Sequence, residues 1–174
     1  MTDTIKINRA PVLTLWAAVV AERLGFDRDE ALTLGRAVAG LNAYSKGVSL
    51  GLFEPTPQAV KEQRKKARPR GSFQVAILGR AVPAVHTREG VRAAVKEKPI
   101  APASVERYLA SKFGDALEDA RKAMATLARS LPPAELARTA FRLYEQFRPT
   151  VPAGVGGWGV KGTLSLKKIA SLAE

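Results

Sequence analysis

Apolar residues recur at three- and four-residue steps in the first and last thirds of the chain, and this spacing constrains the fold most strongly. Glycine and proline interrupt the pattern, so it predicts several separate helices. A first helix is expected to begin near Asn8–Pro11 and to end at Gly25. A second begins at Asp27, where Asp27 and Glu30 have the spacing of a capping box. The two predict a helical hairpin joined by a short loop.

The C-terminal part predicts a further group of helices with one apolar stripe on each. Pro132-Pro133 separates the two longest of them, and a short helix is expected over Leu166–Leu172. The heptad-like spacing leaves two alternatives. These helices pack against the first half of the chain, or they pair with the same helices of a second copy of the chain. The side chains expected at such a homodimer interface are Leu117, Met124, Leu127, Leu136 and Leu143.

The middle of the chain contains the clearest strand pattern. Apolar and other residues alternate from Phe73 to Ile77, and Gly79-Arg80 can form a two-residue turn into a second strand, Ala81–His86. Pro83 predicts that this second strand lies at an edge, because proline cannot donate a backbone hydrogen bond. Thr87 is expected to cap a basic helix over residues 88–97.

These patterns predict a mainly α protein with one small β-hairpin, in the α+β class. A helical scaffold with a basic helix and the hairpin is expected over residues 1–98, and a helical bundle over residues 101–174. The prolines at 99 and 102 mark the boundary. The alternative is that both parts pack as a single domain.

Charge is concentrated in one quarter of the chain. The net charge is +12, and residues 56–101 hold eleven basic and three acidic side chains, whereas residues 1–55 hold six of each. The densest stretch is Lys61–Arg70, in which Glu62 is the one acidic residue. Such a local excess predicts a surface that contacts a polyanion.

Nucleic acid is the polyanion that this stretch favours, and DNA more than RNA. Each cation near a phosphate releases a condensed counterion, which gives binding that depends on salt and little on sequence. The expected contacts are Lys61, Arg64, Lys65, Lys66, Arg68, Arg70 and, at the hairpin tip, Arg80. Lys161 is a candidate for one further anion contact.

The order of these elements resembles that of winged helix–turn–helix DNA-binding domains. Two helices, a short basic helix beginning at Thr56-Pro57 and a two-stranded hairpin follow one another over about residues 9–86. The resemblance implies that the third helix enters the major groove and that the hairpin lies beside it.

Other functions have less support in the sequence. The absence of cysteine and the single histidine, His86, predict no metal site and no cofactor, and the spacing of the sequence places no catalytic nucleophile at His86. We therefore expect no enzymatic activity, no membrane partner and a cytoplasmic location, nucleoid-associated if DNA is bound. Two alternatives remain: an assembly module that uses the C-terminal helices, and a nucleotide-using enzyme built on the glycine-rich stretch Gly154–Gly159.

Overall fold

The computed structural model describes residues 4–49, 73–95, 98–150 and 161–173. Within them the helices are α1 (Arg9–Arg23), α2 (Arg28–Ser49), α3 (Pro102–Phe113), α4 (Leu117–Arg129), α5 (Pro133–Phe147) and α6 (Leu166–Leu172). The strands are β1 (Thr4–Ile7), β2 (Phe73–Ile77), β3 (Arg80–Thr87), β4 (Gly90–Val95), β5 (Lys98–Pro99) and β6 (Gly162–Ser165). The α+β class is confirmed.

Helix α1 forms the centre of the molecule. All eleven residues from Pro11 to Ala21 are buried, so the helix is covered on every side. It contacts α2, α3, α4, α5 and β2. A helix that is apolar around its whole circumference is stable only when other elements surround it. The helix predicted to begin near Asn8–Pro11 is confirmed.

Helices α1 and α2 pack closely because Gly35 has no side chain. A Cβ atom at Gly35 would lie 2.3 Å from the backbone oxygen of Thr14 and 2.9 Å from the backbone nitrogen of Ala18. The loop between the helices ends in the capping box that the sequence predicts. The backbone N–H of Glu30 donates to Asp27 Oδ1 at 2.8 Å, and that of Asp27 donates to Glu30 Oε1 at 3.0 Å.

The predicted hairpin is part of a larger antiparallel sheet with the strand order β2-β3-β4-β5. Its turn lies one residue earlier than predicted, since Ile77 pairs with Arg80 and the turn residues are Leu78 and Gly79. Both have positive φ angles, 51° and 76°. These are the angles of the turn type that matches the twist of two antiparallel strands, and Gly79 occupies its second position.

Two further predictions for this region were wrong. Strand β3 lies inside the sheet and not at its edge, and Pro83 is tolerated because the β3–β4 register begins at the next residue, Ala84. The helix expected over residues 88–97 is instead the turn Arg88-Glu89 followed by β4. Thr87 does not cap a helix there: its hydroxyl accepts the N–H of Glu89 and donates to the Gly90 carbonyl within the turn.

Helix α2 covers the outer edge of β4. The N–H of Val91 donates to Glu30 Oε2 at 2.7 Å, and the buried N–H of Ala93 donates to the Thr33 hydroxyl at 3.0 Å. On the same edge, the Val91 carbonyl accepts a hydrogen bond from Arg92 Nη1 at 2.9 Å, and the Ala93 carbonyl accepts one from the N–H of Ile100 at 2.8 Å. All four backbone groups on this edge therefore have partners, and the edge cannot pair with another strand.

The two ends of the chain meet in a second, two-stranded sheet. Strand β1 pairs antiparallel with β6, from Thr4 opposite Ser165 to Ile7 opposite Gly162. The sequence analysis did not predict either strand. Buried side chains from both halves of the chain form one hydrophobic core. The division into a scaffold over residues 1–98 and a helical bundle over residues 101–174 stays a prediction.

The C-terminal apolar stripe packs within the chain. Helix α4 contacts α1 and α6, and α5 contacts α1. Four of the five side chains expected at a dimer interface are buried in this core, namely Leu117, Met124, Leu127 and Leu136, while Leu143 is partly exposed. A homodimer that used the four buried leucine and methionine side chains would require the core to open.

The third, basic helix of the winged-helix order falls on residues outside those described, so that order stays a prediction. The structure adds that the expected hairpin has two more strands, β4 and β5, beyond it. Among the described residues, no helix has the length and apolar character needed to cross a lipid bilayer.

Candidate functional site

The dense part of the basic stretch lies outside the described residues. This applies to six of the seven predicted nucleic-acid contacts: Lys61, Arg64, Lys65, Lys66, Arg68 and Arg70. The stretch connects α2, which ends at Ser49, to β2, which begins at Phe73. Both flanking elements belong to the folded core, since α2 contacts β3 and β4, and β2 contacts α1. The cationic segment is therefore tethered at both ends to packed structure.

Arg80, which the sequence places in the turn, is instead the first residue of β3 directly after the turn, and its side chain is partly buried. It pairs with Ile77, the last residue of β2. The basic segment joins the opposite end of β2, at Phe73. Four residue steps of about 3.3 Å put roughly 13 Å between these two ends of the strand.

An aromatic pair, Phe73 and His86, lies at the end of β2 to which the basic segment is joined. The Phe73 and His86 rings stack with their centroids 4.5 Å apart and an angle of 25° between their planes. His86 is exposed, and β3 continues from it into the exposed turn residue Arg88. The sequence analysis placed His86 at a strand end without a functional role. It did not predict the stacking, because the diagonal contact depends on the strand register.

Two exposed cations of the sheet are available to an external anion. Arg88 and Lys98 are exposed, and neither forms an ion pair within the part of the chain that the structure describes. The ion pairs that are present there belong to the helices. Arg121 binds Glu106 and Glu118, each at 2.9 Å, and Arg138 pairs with Glu135.

Lys161 is exposed and directly precedes β6. Its neighbours in the glycine-rich stretch Gly154–Gly159 lie outside the described residues, so neither the additional anion contact nor a nucleotide site there is tested. The strand that follows is fixed by close packing, since a Cβ atom at Gly162 would lie 2.7 Å from the Thr150 backbone oxygen.

Two aromatic side chains that could stack on bases in other proteins belong to the core or its margin here. Trp16 is fully buried, and its Nε1 donates to the Ala140 carbonyl at 2.9 Å. Tyr108 is half-buried, and the Arg36 guanidinium lies 4.6 Å from its ring centroid, a cation–π distance. Burial is the main cause that raises the pKa of Tyr108. Trp16 is therefore a core residue.

Comparison with known proteins adds no family to these observations. No protein-family model, no curated protein and no solved structure matches the chain. Within the described ranges, no group of three or more histidine, aspartate or glutamate side chains is arranged to hold a metal ion.

Proposed function

We propose that the protein binds nucleic acid without catalysing a reaction, and that it prefers double-stranded DNA to RNA. The observation that carries the proposal is the concentration of positive charge between α2 and β2. Residues 50–72 hold six basic and two acidic side chains. A cytoplasmic, nucleoid-associated location is part of the proposal.

The tethering of this segment supports the proposal. Its two ends are joined to α2 and β2, and both elements contact other parts of the folded chain. The exposed cations Arg88 and Lys98 of the sheet are candidates for further contacts with the same phosphate backbone. This arrangement favours a contact surface over a free basic tail.

The expected mechanism is counterion release. Six cations that each neutralise one phosphate give a slope of about −5 in the logarithm of the binding constant against the logarithm of salt concentration. Long cationic side chains read the phosphate backbone and carry little information about base sequence. We therefore expect similar affinities for duplexes of unrelated sequence.

The winged-helix-like order gives this proposal a geometry. The basic segment would enter the major groove, and the β2–β3 hairpin with Arg80 would lie beside it. The roughly 13 Å between the two ends of β2 is less than one turn of duplex DNA, about 34 Å. One duplex can therefore contact the basic segment and Arg80 together.

A salt titration with three ligands tests the proposal. Duplex DNA, single-stranded DNA and RNA of equal length are titrated at several salt concentrations, and binding is followed by fluorescence anisotropy. Duplex DNA is expected to bind most tightly, with an affinity that falls steeply as salt increases. An affinity that does not change with salt would exclude the electrostatic mechanism, and tighter binding of RNA would reverse the preference.

A charge-reversal variant and a matched control locate the surface. Replacing Lys61, Arg64, Lys65 and Lys66 by glutamate changes the net charge by eight units and is expected to abolish binding with unchanged helical circular dichroism. The control makes the same change at four exposed cations on α3, α4 and α5, namely Arg107, Lys112, Lys122 and Arg142. If both variants lose binding equally, overall charge and not the basic segment is responsible.

A further inference from the structure

A cleft of about 560 Å³ lies at the meeting point of two helix N-termini and the sheet. Residues at the starts of α2 and α3 form one side of it, and β4 with the β3–β4 turn forms the other. Its lining residues are Arg28, Asp29, Leu32, Glu89, Arg92, Pro102, Ala103 and Glu106. Small-molecule sites commonly have volumes of about 300–1,000 Å³, so the cleft has the size of such a site.

Arg92 is the residue that distinguishes this cleft from a surface groove. It is 6% exposed, although it carries a charge. Its Nη1 donates to the Val91 carbonyl at 2.9 Å, and within the described ranges no carboxylate lies close enough to form an ion pair with it. A guanidinium has five N–H donors. Most of the donors of Arg92 are therefore left for a group that occupies the cleft.

The start of α3 adds to the positive potential at the same place. Helix α3 begins at Pro102 after Ala101, which has no side-chain cap for it, and the helix dipole favours an anion beside this terminus. The start of α2 is already capped by the carboxylates of Asp27 and Glu30. The oxyanion environment of the cleft is therefore formed by Arg92 and the start of α3.

Among the acidic residues of the cleft, Glu106 is already neutralised. Arg121 binds both of its oxygens, at 2.9 and 3.2 Å, and Arg28 lies 3.6 Å from it. Asp29 and Glu89 are exposed and form no ion pair in the described parts of the chain. These two carboxylates would repel a polyanion, but they can accept hydrogen bonds from hydroxyl or amino groups.

We infer that this cleft binds a small molecule that carries one oxyanion together with hydrogen-bond donors. The oxyanion, a carboxylate or a phosphate, lies against Arg92, and Arg28 assists it from the exposed side. The donors, which are amino or hydroxyl groups, face Asp29 and Glu89. An amino acid and a nucleoside monophosphate both have this chemistry. The site is separate from the proposed nucleic-acid surface.

Isothermal titration calorimetry of the full chain tests the inference with four probes: acetate, inorganic phosphate, an alanine–glutamate mixture of amino acids, and adenosine monophosphate. At least one of the two larger probes is expected to bind saturably and more tightly than the simple anion with the same charged group. Binding of the amino acids identifies a carboxylate ligand, and binding of the monophosphate identifies a phosphate ligand. If no probe binds at millimolar concentration, the inference is wrong.

Arg92→Met supplies the decisive comparison, because it removes the charge and the N–H donors and keeps an unbranched side chain. It is expected to weaken binding of the probe by about tenfold or more. Unchanged binding in this variant would overturn the inference.

Two further variants keep the test informative if Arg92→Met does not fold. Arg28→Gln changes a side chain that is 54% exposed and is expected to weaken binding several-fold. Arg138→Gln changes another exposed arginine, on α5 and outside the cleft, and should leave binding unchanged. Equal affinities for the wild type, Arg28→Gln and Arg138→Gln would place the bound probe outside the cleft and refute the assignment.

Discussion

The Glu30 carboxylate accepts the backbone N–H of Val91 at 2.7 Å and so ties the start of α2 to the edge of β4. The other oxygen of the same carboxylate accepts the N–H of Asp27 and closes the capping box. One side chain therefore stabilises a helix terminus and protects a sheet edge. Gly90 permits this arrangement, because a Cβ atom there would lie 2.9 Å from Glu30 Oε2.

Replacing Glu30 by alanine removes both contacts. We expect the free energy of unfolding to fall by about 2–3 kcal/mol, the sum expected for a lost cap and a lost hydrogen bond to a charged group. Urea denaturation measures the loss, and hydrogen exchange at the Val91 amide should accelerate. Glu22→Ala, at an exposed position of α1, is the control, and a similar loss in both variants would contradict the special role of Glu30.

Thr33 offers a second test of the same edge. Thr33→Val keeps the shape of the side chain but leaves the buried N–H of Ala93 without its acceptor, which is expected to cost about 1–3 kcal/mol of stability. Thr33→Ser retains the hydroxyl and should lose less. The prediction fails if valine is as stable as the wild-type threonine in chemical denaturation.

Gly35 and Gly40 form a matched pair on α2. Gly35→Ala forces a methyl group against the backbone of α1 and is expected to destabilise the protein by about 1–3 kcal/mol or more. Nothing lies within 4 Å of a Cβ atom at Gly40. Gly40→Ala should therefore stabilise the protein by roughly 0.8–1 kcal/mol, because alanine has a higher helix propensity than glycine. Thermal unfolding of the two variants should shift in opposite directions.

Tyr144 predicts a loss of stability at alkaline pH. Burial is the main cause that raises the pKa of Tyr144 to about 12, from an ordinary value near 10. Its hydroxyl donates to the Arg9 carbonyl at 3.4 Å. The unfolded chain therefore loses the tyrosine proton at lower pH than the folded protein. The stabilisation is complete below pH 10 and is lost as the pH rises towards 12, by about 2–3 kcal/mol.

Chemical denaturation between pH 9 and 12 measures this effect. Tyr144→Phe should lack this part of the pH dependence, while lysines and the other tyrosines titrate alike in both proteins. Tyr108→Phe, which changes a half-buried tyrosine, is the comparison. Parallel curves for the wild type and Tyr144→Phe would disprove the assignment.

Leu127 and Leu143 separate core packing from assembly. Leu127 is fully buried, so Leu127→Asn should lower the free energy of unfolding by several kcal/mol, as expected for a polar group in a core, at every protein concentration. Leu143 is partly exposed, and Leu143→Glu should change stability less. A wild-type dimer that Leu143→Glu converts to a folded monomer, seen by sedimentation, would support the assembly alternative.

Helix positions were the most predictable part of the fold, because their signals are local. Three of these signals are the apolar run from Pro11 to Ala21, the capping box at Asp27 and the pattern of the final helix, Leu166–Leu172. Each depends on residues only a few positions apart. The strands β1, β4, β5 and β6 were not predicted. Four residues such as Thr4–Ile7 carry too short a pattern, and residues 88–95 contain charges that also suit a helix.

The two candidate sites also differ in how far the sequence predicts them. The charge excess of residues 56–101 is a property of composition, and the sequence displays it without any fold. The cleft around Arg92 could not be predicted, because its residues come from β4, α2 and α3 and meet only through packing. Nothing local distinguishes Arg92, which is buried, from Arg88, four residues earlier and exposed.

The sequence by itself therefore determined the six helices of the described residues, the α+β class and the location of the positive charge, since periodicity, caps and charge are local quantities. The helix that it predicted over residues 88–97 was wrong. Only the tertiary structure decided which side chains lie together: Glu30 with Val91, Trp16 with Ala140, and Arg92 with two helix N-termini. The physical reason is that strand register and helix packing bring together residues that are far apart in the sequence, 61 positions for Glu30 and Val91 and 124 positions for Trp16 and Ala140. Their contacts depend on the whole core and on no single segment.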